Sequence, residues 1–198
     1  MIEQSNNLSF HPDHLAVSFL KSLYQHCDKG SIDFRSLPTD PSKPVKEEFV
    51  PLTEIGSIPD ILKSYIKEYD CYFAVGTRID GDGSKAGILQ IPALWVDLDD
   101  YKLTDKQKEE SRQRYREFPL KATLTINSGG GRYLLWMLKE PASREEIPEV
   151  ENRLKRLASY FHVDMAATDA SRILRIPGSL NFKYPHHPQV KIVEVEHG

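Results

Sequence analysis

Two aspartates separated by one residue follow an apolar run in the middle of the chain. Residues 93–96 have the composition of a buried strand, and Asp97 and Asp99 come directly after them. Because residues i and i+2 of a strand point to the same face, the two carboxylates are predicted to project together. Neighbouring carboxylates repel each other unless a cation lies between them, and oxygen ligands suit Mg²⁺ or Mn²⁺. The pattern is compatible with a divalent-metal site, and the preceding buried strand strengthens that interpretation. A bare Asp-x-Asp is common, however, and a strand end that runs into a solvated acidic turn is the alternative.

A serine and three glycines lie between two apolar segments further along the chain, at Ser128, Gly129, Gly130 and Gly131. Consecutive glycines let backbone N–H groups approach a phosphate without interference from a Cβ atom. The serine hydroxyl can bind the same oxygens. A flexible hairpin loop is the alternative, since neither a P-loop nor a dinucleotide-binding fingerprint is present.

A basic cluster follows Asp164. Arg172, Arg175, Asn181 and Lys183 lie within twelve residues of one another. Arginine binds phosphate oxygens bidentately, and lysine supplies a point charge. The alternative is a set of surface cations beside a core strand. A spacing of three does not place both arginines on one face of a regular strand, so a bulge or turn must intervene if both reach one ligand.

The elements that position these side chains can be predicted from the periodicity of the sequence. Helices are predicted over residues 11–27, 59–69, 104–117 and 143–161. Strands are predicted over residues 32–35, 71–78, 93–96, 120–127, 132–138, 173–176 and 190–195. Residues 37–50, which contain three prolines, are predicted to form an exposed loop. Ser143 and Glu146 have the spacing of a capping box. The order of elements favours an α+β or α/β fold with a mostly antiparallel sheet.

Taken together, the three polar groups resemble the motifs of the archaeo-eukaryotic primase superfamily. The likeness is greatest to the primase-polymerase domains of bacterial mobile elements, plasmids and phages, including CRISPR-associated ones. It spans about residues 32–195 and is strongest over residues 93–183. The resemblance implies an α+β fold with an RRM-like, mostly antiparallel sheet and flanking helices, joined to an N-terminal αβ lobe. It also implies a single catalytic domain over residues 1–198, with the lobe in 1–90 and the motifs in 91–198, possibly as a fragment of a longer protein.

The resemblance also implies a role for each motif residue. The catalytic and metal-binding residues are Asp97, Asp99 and Asp164, with Asp169 as a competitor for the third position; they hold two Mg²⁺ or Mn²⁺ ions, and no zinc is expected. The nucleotide-binding residues are Ser128, Gly129, Gly130, Tyr133, Arg172, Arg175 and Lys183. The template- or primer-binding residues are Arg78, Lys85 and Asn181. Tyr133 occupies the position where the family usually has histidine, and tyrosine can donate one hydrogen bond but carries no positive charge.

The function that this resemblance implies is a template-directed nucleotidyltransferase, a DNA primase or DNA polymerase that adds nucleotides to a 3′-hydroxyl or starts a primer. Its partners are single-stranded or primer–template DNA, dNTPs or NTPs, and possibly a helicase or accessory priming domain. Two alternatives stay open. One is a catalytically impaired nucleotide- or nucleic-acid-binding module, and the other is a different two-metal enzyme such as a nuclease, or an Asp-x-Asp glycosyltransferase.

Length and composition set the outer limits of these hypotheses. The chain has 198 residues, 39% of them hydrophobic and 28% charged, which excludes collagen-like and intrinsically disordered classes. Two cysteines, no signal peptide and no long apolar run favour a cytoplasmic protein without a membrane partner. The net charge is only −3, but residues 153–191 contain seven basic and two acidic side chains. Binding to a phosphate backbone needs such a local basic surface and not a basic protein.

Overall fold

The computed structural model describes residues 12–195, which form four α-helices and nine β-strands. The helices are α1 (Pro12–Leu23), α2 (Ile58–Tyr65), α3 (Asp105–Glu117) and α4 (Ile147–Phe161). The strands are β1 (Ser31–Pro38), β2 (Lys46–Pro51), β3 (Tyr69–Ala74), β4 (Thr77–Arg78), β5 (Ile88–Leu98), β6 (Leu124–Asn127), β7 (Arg132–Ser143), β8 (Ile173–Arg175) and β9 (Lys191–Val195). No helix in this part of the chain is both long and apolar enough to cross a membrane.

The strands form one sheet in the order β8-β3-β1-β4-β5-β7-β6-β9, and β2 pairs with β1. The paired strands are antiparallel, which confirms the predicted α+β fold. The predicted boundary at residue 90 falls inside β5, and strands from both sides of it share the sheet. Because β8 and β9 lie at opposite ends of the sheet order, residues 176–190 connect one end to the other.

The prediction of an exposed loop over residues 37–50 is wrong in its last part, because Lys46 begins β2. The prolines lie before this strand, and its charged side chains conceal it from a search for apolar alternation. In β2 only Val50 is buried, which is typical of an edge strand. The predicted strand over 71–78 is two strands, β3 and β4. The predicted first helix ends earlier, at Leu23, and its residue 11 lies outside the described residues.

The long helix α4 covers part of the sheet with an apolar stripe. Its buried residues recur every three or four positions and are Ile147, Val150, Leu154, Ala158 and Phe161. The predicted capping box of Ser143 and Glu146 is present. It stabilises a short 3₁₀ turn that leads into α4. The helix ends at His162 in the left-handed conformation.

Strand β5 connects this core to the polar end of the sheet. Val96 and Leu98 are buried in one cluster with Leu134 and Phe161. Because side chains alternate along a strand, Asp97 between them projects to the opposite face. The apolar run therefore fixes the direction of the first aspartate.

Candidate active site

A cavity of about 380 Å³ lies where β5 and β8 end and β7 begins. Ten of the predicted site residues line it: Asp97, Asp99, Ser128, Gly130, Tyr133, Asp164, Arg172, Arg175, Asn181 and Lys183. The three polar groups of the sequence therefore meet in one place, although they come from segments far apart along the chain.

Asp97 is the most enclosed of the three carboxylates. Its Oδ2 accepts a hydrogen bond of 2.6 Å from Nη2 of Arg172. Burial raises the pKa of Asp97 above its ordinary value, although the charge and hydrogen bond of Arg172 favour the ionised form. The negative charge of Asp99 adds to the rise. Asp97 therefore lies in a position where a cation would stabilise it.

Asp99 and Asp164 both line the cavity from turns. Asp99 directly follows β5 and precedes a 3₁₀ turn over Asp100–Lys102. Asp164 precedes another 3₁₀ turn, Met165–Thr168, and its Oδ1 accepts a hydrogen bond from the N–H of Ala166 at 2.8 Å. Trp95 of β5 holds that second turn in place, since its indole N–H donates to the carbonyl of Ala167 at 2.9 Å.

The chemistry of these carboxylates fits a divalent cation, although they are not drawn together as a finished ligand shell. Among residues 12–195, no three acidic, histidine or cysteine side chains converge as a metal-binding group. One oxygen of Asp97 is bonded to Arg172, and one oxygen of Asp164 caps its own turn. Asp97 and Asp99 nevertheless present oxygen ligands of the kind that Mg²⁺ or Mn²⁺ prefers to the same cavity, and the charge of Asp99 raises the pKa of Asp97.

Tyr133 lies directly opposite Asp97 in the β5–β7 pairing and is only 4% exposed. Burial raises the pKa of its hydroxyl, and the nearby charge of Asp97 adds to this effect, whereas Arg175 opposes it. The side chain therefore stays protonated and neutral at physiological pH. It can donate one hydrogen bond into the cavity, but it cannot supply the charge of the histidine that the family usually has.

Both arginines line the cavity, although strand β8 and not the expected turn or bulge lies between them. Arg172 precedes β8, whereas Arg175 is the last residue of that strand. Arg175 is 13% exposed and pairs with Asp70 at 3.2 Å, and its guanidinium carbon lies 4.8 Å from the ring centre of Tyr72. Lys183 donates to the hydroxyl of Tyr101 at 2.5 Å. Three cations therefore face the three carboxylates.

The glycine loop, residues 128–131, is closely packed against neighbouring segments and does not form an open phosphate-binding loop. A Cβ atom on Gly131 would collide with the backbone oxygen of Leu98, and one on Gly130 would collide with the ring of Tyr184. Gly129 has a φ of +88° and would place a Cβ 2.6 Å from Pro188. The loop therefore packs between the end of β5 and the segment of residues 176–190. Asn181 stabilises the same contact, since its side-chain amide donates a hydrogen bond to the carbonyl of Ser128 at 2.6 Å.

Sequence reasoning missed several residues of this site. Asp70 and Tyr72 support Arg175 from β3, while Tyr101 and Tyr184 form an edge-to-face pair with ring centres 5.7 Å apart. Tyr72, Tyr101 and Tyr184 line the cavity. Tyr184 follows Lys183 directly and could have been included with the basic cluster. The sequence holds no comparable signal for Asp70, because only the pairing of β3 with β8 brings it to Arg175.

Three predicted binding residues, Gly129, Lys85 and Arg78, do not line the cavity. Gly129 faces a separate surface pocket beside Arg112 and Arg132. Lys85 forms ion pairs of 2.6 Å with both Glu151 and Asp169. Burial opposes ionisation of Asp169, but hydrogen bonds from Lys85 and Ser171 lower its pKa to about 2. Asp169 therefore has a structural partner and does not line the cavity with Asp97.

The interpretation of Arg78 as a template contact is wrong, because its side chain is fully buried. Its Nε lies 3.7 Å from Oδ2 of Asp33, which is also fully buried and pairs with Arg35 at 2.8 Å. Burial lowers the pKa of Arg78, and within residues 12–195 its three guanidinium nitrogens have no hydrogen-bond partner. Arg78 is part of the core of the N-terminal half.

The substitution Arg78→Met tests this correction. Asp33 keeps Arg35 as its partner, so we expect the free energy of unfolding to change by no more than about 2 kcal/mol. Affinity for a fluorescently labelled single-stranded DNA, measured by anisotropy, should stay within about twofold at every salt concentration. A large loss of affinity and a shallower salt dependence, with stability unchanged, would show instead that Arg78 reaches DNA.

Three solved structures of primase domains have a similar arrangement of strands and helices. The AEP domain of the primase-polymerase (PrimPol) of cyanophage S-2L superposes with a TM-score of 0.68 at 18% identity, over 91% of this chain and 89% of that one. Primase RepB′ gives a TM-score of 0.61 at 14% identity, over 91% of this chain and 56% of that one. The catalytic domain of RepB′ in complex with initiator DNA gives 0.57 at 15% identity, over 91% and 85%. The fold is that of an archaeo-eukaryotic primase domain.

The sequence narrows this class to one family. The model of the RepB DNA-primase N-terminal domain matches residues 87–195, more than half of the chain, so the chain belongs to that family. A replication protein of Clostridium perfringens is 36% identical in an alignment of length 105 that covers 48% of this chain and 25% of that protein. The similarity thus spans about a quarter of the length of this curated relative.

Proposed function

We propose that this protein is a template-directed nucleotidyltransferase, a DNA primase or primase-polymerase that joins nucleoside triphosphates to a 3′-hydroxyl or to a first nucleotide. The observation that carries the proposal is the single cavity in which three carboxylates face three cations, in a chain of a primase family. Its proposed partners are single-stranded or primer–template DNA, dNTPs or NTPs, and a helicase or accessory priming domain. We also propose that residues 1–198 act as one catalytic domain.

Asp97, Asp99 and Asp164 are the residues that would hold one or two Mg²⁺ or Mn²⁺ ions. A divalent cation bound there would lower the pKa of the attacking hydroxyl and neutralise charge on the triphosphate. Arg172 already donates a hydrogen bond to Asp97. This bond and the charge of Arg172 favour the ionised form of Asp97, against the effect of burial.

The remaining polar side chains of the cavity are proposed to bind the triphosphate. Arg175 and Lys183 supply fixed positive charges, and the Ser128 hydroxyl and the Tyr133 hydroxyl supply hydrogen bonds. Phosphoryl transfer depends mostly on such positioning and electrostatic stabilisation, because the protein forms no covalent bond to the substrate. The single-stranded template would run along the basic segment of residues 153–191.

The proposal is tested by incubating the purified protein with labelled nucleoside triphosphates and single-stranded DNA, with and without an annealed primer. Mg²⁺ and Mn²⁺ are supplied separately, and chelation with EDTA is the control. We expect template-dependent products that carry the label and that disappear with EDTA. A parallel reaction uses end-labelled template to detect strand cleavage.

The same reactions separate the alternatives. Binding of template and nucleotide without incorporation, with either metal, would identify a binding module that has lost catalysis. Shortening of the end-labelled template without incorporation would identify a nuclease. Either result overturns the proposal. Parallel reactions with labelled dNTPs and labelled NTPs show whether the protein prefers deoxyribonucleotides or ribonucleotides.

A further inference from the structure

One acidic side chain near the cavity has no part in the function proposed above. Asp70 lies on β3 and is 17% exposed, and its Oδ2 lies 3.2 Å from Nη2 of Arg175. Its Oδ1 accepts hydrogen bonds from Nε of Arg175 at 3.3 Å and from the backbone N–H of Phe182 at 2.9 Å. Asp70 does not line the cavity itself. Any effect it has on a ligand therefore acts through these two partners.

Tyr72 supports the same guanidinium from a second direction. The pairing of β3 with β8 places Tyr72 directly opposite Arg175, and the ring centre lies 4.8 Å from the guanidinium carbon. The contact between Ile176 N–H and the carbonyl of Cys71, at 3.1 Å, continues this pairing past the end of β8. Arg175 is therefore held by a carboxylate at its Nε and Nη2 atoms and by an aromatic face.

We propose that Asp70 is a positioning residue that, with Tyr72, fixes the guanidinium of Arg175 in the orientation that binds the triphosphate. The proposal rests on the function proposed above, in which Arg175 binds phosphate. A free arginine side chain samples many rotamers, and ordering one on binding costs affinity. Asp70 and Tyr72 would order the side chain during folding, before any ligand binds, and the carboxylate of Asp70 also balances the charge of Arg175 when no nucleotide is bound.

The contact with Phe182 gives Asp70 a second role in the same site. Phe182 lies between Asn181 and Lys183, and both of these side chains line the cavity. One carboxylate thus sets the position of Arg175 and of the neighbouring phosphate-facing segment. Asp70 and Tyr72 lie before residue 87, where the family match begins. The N-terminal part of the chain therefore contributes to the nucleotide site through β3.

The test compares Asp70→Ala and Asp70→Asn with Asp80→Ala, an exposed aspartate in the turn after β4 that serves as the matched control. Affinity for a nucleoside triphosphate is measured by calorimetry, and KM and kcat are measured by primer extension. We expect Asp70→Ala to raise Kd and KM about tenfold and to leave kcat within about threefold. Asp70→Asn keeps an acceptor for Phe182, so its effect should be about threefold. The control should match the unmodified protein.

Two further measurements separate positioning from a general loss of structure. In a double-mutant cycle, Asp70→Ala should have a much smaller effect in Arg175→Ala than in the unmodified protein, because only its contact with Phe182 remains once the arginine is removed. The Arg175 Nε–H resonance, assigned by its absence in Arg175→Lys, should be sharp in the unmodified protein and lost in Asp70→Ala. If Asp70→Ala does not fold, Asp70→Asn carries the same comparison.

Additive effects in the cycle, an unchanged Arg175 resonance, or a fall in kcat with KM constant would each overturn the proposal. Failure of the proposed function looks different. If the unmodified protein binds no nucleoside triphosphate, the function is wrong, while the Arg175 resonance still reports whether Asp70 fixes the guanidinium.

Discussion

Replacement of Asp97 by asparagine is expected to reduce the rate of nucleotide incorporation by about 10³-fold. The change keeps the shape of the side chain and an oxygen that accepts from Arg172, so the local structure should persist. It removes the negative charge that, on our proposal, binds the divalent ion. The loss should therefore appear in kcat rather than in template affinity. Primer extension in Mn²⁺ measures kcat, the anisotropy of a labelled template measures template affinity, and unfolding followed by circular dichroism checks that the variant is folded.

The matched control for this experiment is Asp80→Asn, which removes the charge of an exposed aspartate outside the cavity. It should leave incorporation within about twofold, as expected for a solvated surface charge. Asp99→Asn should behave like Asp97→Asn, because both carboxylates face the same cavity. Incorporation at the unmodified rate in Asp97→Asn would show that this carboxylate is not a metal ligand and would falsify the mechanism.

Replacement of Gly131 by alanine is expected to destabilise the protein by about 3 kcal/mol or more and to lower Tm by about 6–12 °C. The added Cβ would collide with the backbone oxygen of Leu98, and a backbone atom inside a paired strand cannot move aside as a flexible side chain can. Any movement of Leu98 also displaces Asp99, the next residue. We therefore expect incorporation to fall further than the loss of folded protein explains.

Gly56→Ala is the control for this substitution, because a Cβ at that position meets no atom within 4 Å. Its Tm should change by no more than about 2–4 °C, the shift that corresponds to 1 kcal/mol in a chain of this size. Thermal unfolding and incorporation are measured on both variants at equal concentrations of folded protein. Equal Tm values for Gly131→Ala and Gly56→Ala would mean that the glycine loop has space for an added Cβ atom and is not closely packed.

Much of the candidate site could be predicted from local patterns. The apolar run before Asp97 indicated a buried strand, and alternation placed Asp97 and Asp99 on one side of it. The spacing of Arg172 and Arg175 suggested a turn or bulge between them, but strand β8 runs up to Arg175 and both side chains still line the cavity. The capping box at Ser143 and Glu146 marked the start of the segment that leads into α4. Each of these signals acts over a few residues, which is why the sequence alone reveals them.

The parts that could not be predicted depend on contacts between distant segments. Asp70 meets Arg175 only because β3 pairs with β8, and nothing near either residue signals this pairing. The family resemblance implied a template contact for Arg78, whereas in the structure this side chain is buried beside Asp33, which is distant in sequence. Gly130 and Gly131 resembled a phosphate cradle because glycine leaves space, but Tyr184 and Leu98 fill that space.

The connection of the two ends of the sheet by residues 176–190 has a consequence for how the protein folds. Asp70 and Phe182 are separated by 112 residues, and Asn181 meets Ser128 across 53 residues. Closing such long loops costs entropy that only the finished sheet can repay, so folding should be slow and this segment should join late. A nascent chain would then carry its carboxylates on β5 before Asn181 and Lys183 arrive. The capacity to hold a triphosphate would be acquired only at the last step of folding, so incompletely folded chains would be inactive.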